Sequence, residues 1–195
     1  MNDKNSLEIL TAEIAHCTVC AGHLPLGPRP VVRASPTARI LIVGQAPGRL
    51  VHESGTPWDD PSGKRLRRWM NTDESVFYDS TQVGIVPMSF CFPGTGKSGD
   101  LPPRPECAPL WHEALLTKMP AIELTLLIGQ YAQHYYLKDR RKKNLTETAQ
   151  AWREYVPAYL PLPHPSPRNN LWFKRNPWFE RDVVPHLQDR VHSIL

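Results

Sequence analysis

The stretch PLPHPSPRNN, residues 161–170, sets His164 between Pro163 and Pro165 and follows it with an arginine and two asparagines. Proline fixes its own φ and restricts the residue before it, so this frame holds the imidazole in one place. A side chain held this way suits chemistry in which geometry decides the rate. GQAPG (44–48) follows an apolar run, and Gly44 and Gly48 would let backbone amides approach a flat ligand with no Cβ in the way. A plain strand-end turn accounts for the same residues equally well. The segment is not a GxGxxG, which argues against a dinucleotide site. WDDPSG (58–63) offers two carboxylates, Asp59 and Asp60, just before a helix beginning near Ser62, where Asp60 could equally serve as the cap.

Four cysteines form a second constellation. Cys17 and Cys20 make a CxxC pair, and Cys91 and Cys107 enclose 15 residues. Zinc and iron–sulfur clusters both accept four thiolates, so spacing alone leaves the two open, together with free thiols packed in a core. The net charge is only +4, but the basic residues cluster at 63–68 (GKRLRR), 138–143 (KDRRKK) and 168–175 (RNNLWFKR). A single run of this kind is commonly a solvated face. Three runs, two of them beside the motifs above, point to a polyanionic partner, of which nucleic acid is the commonest.

These groups need a scaffold, and the apolar pattern supplies one. At 195 residues with 41% apolar content, the chain suits a single globular domain over residues 1–195. Short apolar runs at 39–44, 83–90, 123–129 and 158–165 read as buried strands. Helical patterns fall at 6–16, 62–70, 105–119, 131–137, 146–155 and 177–195, the last kinked or interrupted at Pro185. Strands alternating with helices predict a three-layer α/β/α fold around a central, mostly parallel four-stranded sheet. In such sheets ligands bind beyond the carboxyl ends of the strands, where GQAPG, the end of the second apolar run and PHPSPRN should converge. No stretch of 18 apolar residues is present, and MNDKNSLEIL lacks a signal-peptide core. The expected protein is cytoplasmic and does not engage a membrane.

GQAPG at the first strand end, together with HPSPR at the last, resembles the uracil-DNA glycosylase superfamily, and within it the iron–sulfur type (family 4), whose first motif reads GEAPG or GEGPG. The resemblance runs from Cys17 to about Arg168 and rests on motif order, spacing and cysteines together. It implies hydrolysis of the N-glycosidic bond of uracil or another deaminated base in DNA, as in base excision repair. The implied partner is DNA, the product a free nucleobase and the enzyme a monomer. The family's motif histidine stabilises the departing base, which matches His164. Its stacking phenylalanine corresponds to Trp58, and its base-edge backbone to Gly44, Gln45 and Ala46. The loop after the histidine, with Ser166, Arg168, Asn169 and Lys174, would contact DNA and fill the gap left by the flipped base. Cys17, Cys20, Cys91 and Cys107 match the ligands of a structural [4Fe–4S] cluster, with zinc as the rival.

The sequence departs from the family at informative places. Pro87 stands where the family carries an asparagine that reads the uracil edge, leaving Ser89 or a backbone group to replace it. Gln45 replaces the usual glutamate, and Ala46 stands where other uracil enzymes carry a catalytic aspartate. Asp60, or Asp59, would then orient or deprotonate water or shield the cationic sugar. Two other readings follow from these departures: a nucleic-acid-binding member without excision activity, and an enzyme acting on a different nucleobase substrate.

Overall fold

The computed structural model describes residues 3–97 and 99–195; Met1 and Asn2, which open the N-terminal stretch read above, lie outside the described residues. Its centre is a sheet of β1 (Ile40–Val43), β2 (Val83–Ile85), β5 (Leu124–Ile128) and β6 (Tyr159–Leu162), ordered β2-β1-β5-β6 with every ladder parallel. Ile42 of β1 lies in register with Ile85 on one side and Leu126 on the other. All residues of β1 and β5 are buried, which explains their unbroken apolar runs: both faces of these strands are covered. Pro161, which cannot donate to a ladder, sits in the edge strand β6. The other edge is closed by an antiparallel bridge between Arg33 and Ile85.

Strand alternation sorts the core into two. Ile40 and Ile42 pack with Leu66, Trp69 and Met70 of α3 (Pro61–Met70) and with Leu187 and Val191 of α9 (Val184–Ile194). Leu41 and Val43 pack with Leu7, Leu10 and Ile14 of α1 (Asp3–Ala15) and Leu115 of α5 (Cys107–Thr117). Ala132 and Leu137 of α6 (Gln130–Leu137) join this second layer. The result is the expected α/β/α layering. Among the described residues, no helix is long and apolar enough to cross a membrane.

Several boundaries differ from the sequence reading, each for a local reason. The second apolar run stops being a strand at Ile85 because Pro87 has no N–H. Its chain still bonds along β1, from Val86 N to Ile42 O (3.0 Å) and Met88 N to Gly44 O (2.9 Å). β6 ends at Leu162 because Pro163 and Pro165 cannot continue it. The helix expected over 146–155 is α7 (Leu145–Gln150), followed by a short 3₁₀ turn. The C-terminal helix widens into a π turn over Phe179–Val183, and α9 then begins with Pro185 in its first turn. The interruption therefore precedes the proline, whose ring crowds the carbonyl four residues back. Three helices and a hairpin had no clear sequence signal: α2 (Arg49–Ser54), α4 (Glu74–Phe77), α8 (Asn170–Arg175), and the pair of β3 (Thr95–Gly96) with β4 (Gly99–Asp100).

Candidate active site

A cavity of about 390 Å³ opens beyond the carboxyl ends of the strands, lined by residues 44–48, Trp58, Asp60, Pro87, Asp100, His164, Ser166 and Arg168. Its indole wall depends on two glycines. A Cβ at Gly44 would stand 2.9 Å from Trp58 Cζ2, so the bare strand end gives the ring its place. A Cβ at Gly63 would come within 1.7 Å of the Trp58 carbonyl oxygen, so only glycine lets α3 close on this turn. Trp58 adopts φ +58°, a left-handed conformation that is uncommon for a bulky residue. Arg67 Nη1 donates to its carbonyl at 3.4 Å and helps to hold it there.

His164 follows β6 with Pro163 between them, and packs its ring 5.5 Å from that of Trp58. The Ser166 N–H donates to His164 Nδ1 at 3.2 Å. A nitrogen that accepts carries no proton, so the neutral ring must bear its proton on Nε2 and act there as a donor. Burial holds the imidazole pKa below its ordinary value, with the charge of Asp60 opposing that shift. The prolines fix the main chain, and one backbone amide fixes the tautomer. Asn169, expected on the DNA-facing side, instead donates from Nδ2 to the His164 carbonyl at 2.8 Å. Its amide braces the loop because the 3₁₀ turn over Pro167–Asn169 folds back towards the histidine.

The carboxyl groups are not placed alike. Asp60 caps α3, its Oδ1 accepting from the Gly63 N–H at 2.7 Å, and it also lines the cavity. Asp59 is exposed and takes no part in the lining, so only one of the two adjacent aspartates reaches the site. A third carboxyl, Asp100 on β4, had no sequence signal and does line the cavity. Burial pushes its pKa up, as does the charge of Asp60, while Arg168 opposes the shift. A Cβ at Gly48 would stand 3.3 Å from Asp100 Oδ2, which brings the hairpin over GQAPG. Gln45 makes that approach: its Nε2 donates to Leu101 O at 3.0 Å, committing one of its two N–H groups to the hairpin. Ser89 is 1% exposed, lies outside this cavity and donates to Cys91 O at 3.4 Å. It lines the cysteine cavity rather than the one that holds Pro87. Pro87 lines the cavity, and its carbonyl is taken by His112 Nε2 at 3.0 Å.

The family model described as the uracil DNA glycosylase superfamily matches residues 32–188. The chain belongs to the uracil DNA glycosylase superfamily. Membership supports a function of the DNA glycosylase type. The matched span holds every polar side chain named around the cavity, together with Cys91 and Cys107, and leaves Cys17 and Cys20 outside it.

Two further features of this superfamily member bear on the sequence reading. Arg168 lies at the cavity against the hairpin, where a Cβ at Gly99 would come 2.3 Å from its Nη1. Lys174 is exposed and sits away from the cavity, in a depression shared with Arg65 and Arg68. The four cysteines line one small cavity of about 20 Å³ with Leu24, Phe90 and Trp111, and none is in a disulfide. Burial pushes the Cys91 thiol up to about 11 and the Cys107 thiol up to about 12. The Phe90 N–H donates to Cys107 Sγ at 3.4 Å. As placed, and among the described residues, no three His, Cys, Asp or Glu side chains form a group that could hold a metal ion. The donor set itself, four unpaired thiols on one cavity, is of the type that takes zinc or an iron–sulfur cluster.

Proposed function

We propose that the chain is a DNA glycosylase that hydrolyses the N-glycosidic bond of uracil or another deaminated base, of the family 4 type. The observation that carries this reading is His164, a neutral donor whose proton is assigned to Nε2 by the Ser166 amide, in a cavity shared with Trp58 and two carboxyl groups. As the C1′–N bond breaks, its electron pair leaves on the base, and His164 Nε2–H donates to the base oxygen that gains charge. Trp58 stacks on the base, and backbone amides around Ala46 meet its edge. Asp60, already accepting from Gly63, shields the cationic sugar. Asp100, held less acidic by burial, takes the proton of the water whose oxygen bonds to C1′.

Arg168 and Lys174 contact phosphates in this reading. Cys17, Cys20, Cys91 and Cys107 hold a structural [4Fe–4S] cluster, with zinc as the alternative occupant. The enzyme acts in the cytoplasm as a monomer. Pro87 supports a second reading, a DNA-binding member without excision, because its side chain has no hydrogen-bonding group to read a base and its carbonyl already accepts from His112.

Incubation with end-labelled oligonucleotides carrying uracil, hypoxanthine or xanthine, followed by alkali, separates the two. Breaks at one base establish the activity and its specificity together. Intact strands across the panel, with DNA binding retained, favour the second reading.

A further inference from the structure

The first basic run, Lys64 to Arg68, lies on α3 beside the cavity, and its side chains do not share one task. Arg67 is 7% exposed and engaged by Glu74 Oε1 at 2.8 Å, Tyr78 Oη at 3.2 Å and the Trp58 carbonyl; it belongs to the framework. Arg65 is held in place, with Nη2 donating to Asn170 Oδ1 at 2.7 Å and its guanidinium 5.1 Å from the Phe173 ring centre. Lys64 and Arg68, one helical turn apart, are exposed, and no hydrogen bond or ion pair is described for either side chain.

Three depressions join along this face. The base cavity shares Pro61 and Pro167 with a shallow groove lined by Lys64, Arg65 and Arg68. That groove shares Arg65 and Arg68 with the depression that holds Lys174. The groove also carries Asp73 and Glu74; Glu74 is paired with Arg67, while Asp73 repels a polyanion and favours a path towards Lys174. Glu180 also lines that last depression.

We infer that a DNA strand entering the cavity passes between Pro61 and Pro167 and runs over Lys64, Arg65 and Arg68 towards Lys174, with Lys64 and Arg68 contacting backbone phosphates. This rests on the glycosylase reading for the position of the base, and it adds the path of the strand and the helix that tracks it. The contacts are to phosphate and carry no base preference.

The test is a double variant, Lys64→Ala/Arg68→Ala, in an exposed helical face where alanine is well tolerated. Binding of a fluorescent, unmodified DNA oligonucleotide is titrated at several salt concentrations. Loss of two phosphate contacts should flatten the slope of log K against log salt by about 1.4 to 1.8. Lys118→Ala is the control: it lies at the C-cap of α5, which packs in the core layer on the face of the sheet opposite α3, and it should leave the slope unchanged. An unchanged slope in the double variant overturns the path, as does an equal loss in Lys118→Ala, or wild-type protein that binds no DNA. Excision from the base panel is scored separately. Salt-dependent binding that the double variant weakens, without strand breaks at any base, sinks the glycosylase reading and leaves the groove standing.

Discussion

The sharpest test of the site uses the amide that sets the His164 tautomer. Replacing residue 166 by lactic acid turns the 165–166 amide into an ester, which deletes the N–H without adding bulk beside His164 Nδ1; proline would not serve, because its Cδ would stand where the N–H points at that nitrogen. Ser166→Ala keeps the N–H and removes only the hydroxyl, which accepts from the Arg168 amide at 3.3 Å. Without the amide, the imidazole proton is free to sit on Nδ1, and the population carrying it on Nε2 falls. One such bond is worth about 0.5–1.5 kcal/mol net, which converts to a roughly 2- to 12-fold loss in rate. Removing the donor altogether in His164→Ala should cost on the order of 3 kcal/mol, or about a hundredfold or more. Single-turnover excision at saturating protein reads the chemical step, and a parallel titration reads DNA affinity, which should stay within a few-fold for all three variants. Excision in the ester variant equal to that in Ser166→Ala would refute the tautomer argument. Unchanged excision in His164→Ala would remove the histidine from the reaction.

Three further outcomes are expected. Asp60→Asn keeps a side-chain oxygen that can cap α3 but loses the charge, so it should slow excision more than tenfold while the melting temperature stays near that of the wild type; Asp60→Ala should also lower stability, by about 1 kcal/mol. His112, buried and bonded to Tyr136 Oη and the Pro87 carbonyl, has its pKa pushed down to about 4. A depressed histidine contributes stability that is full above its ordinary value near 6.5 and is lost as pH falls towards 4, so urea unfolding should show about 2 kcal/mol less stability at pH 5 than at pH 7. This dependence should shrink in His112→Gln. Anaerobically purified protein should be brown, with about four irons per chain; colourless protein with one zinc would replace the cluster and keep the four-cysteine site, and Cys107→Ser should lower the metal content in either case.

What the sequence determines about this protein is whatever depends on local or periodic chemistry. Ile40–Val43 and Leu124–Ile128 are legible as buried strands because both faces of a parallel sheet demand apolar side chains. His164 stands out because prolines act on the chain within one residue of themselves, and Asp60 because a cap reaches only three residues ahead. Tertiary structure decides which polar groups share one cavity. Asp100 enters it on a hairpin to which Gln45 is joined by its bond to Leu101 across 56 residues, and Ser89 and Asp59 are left out by the course of the chain around them. Asn169 turns inward and Lys174 lies apart, although both follow the same histidine in sequence. Such contacts depend on closing long loops between elements whose pairing no local pattern records, whereas a strand's burial or a proline's φ is already written in its neighbours.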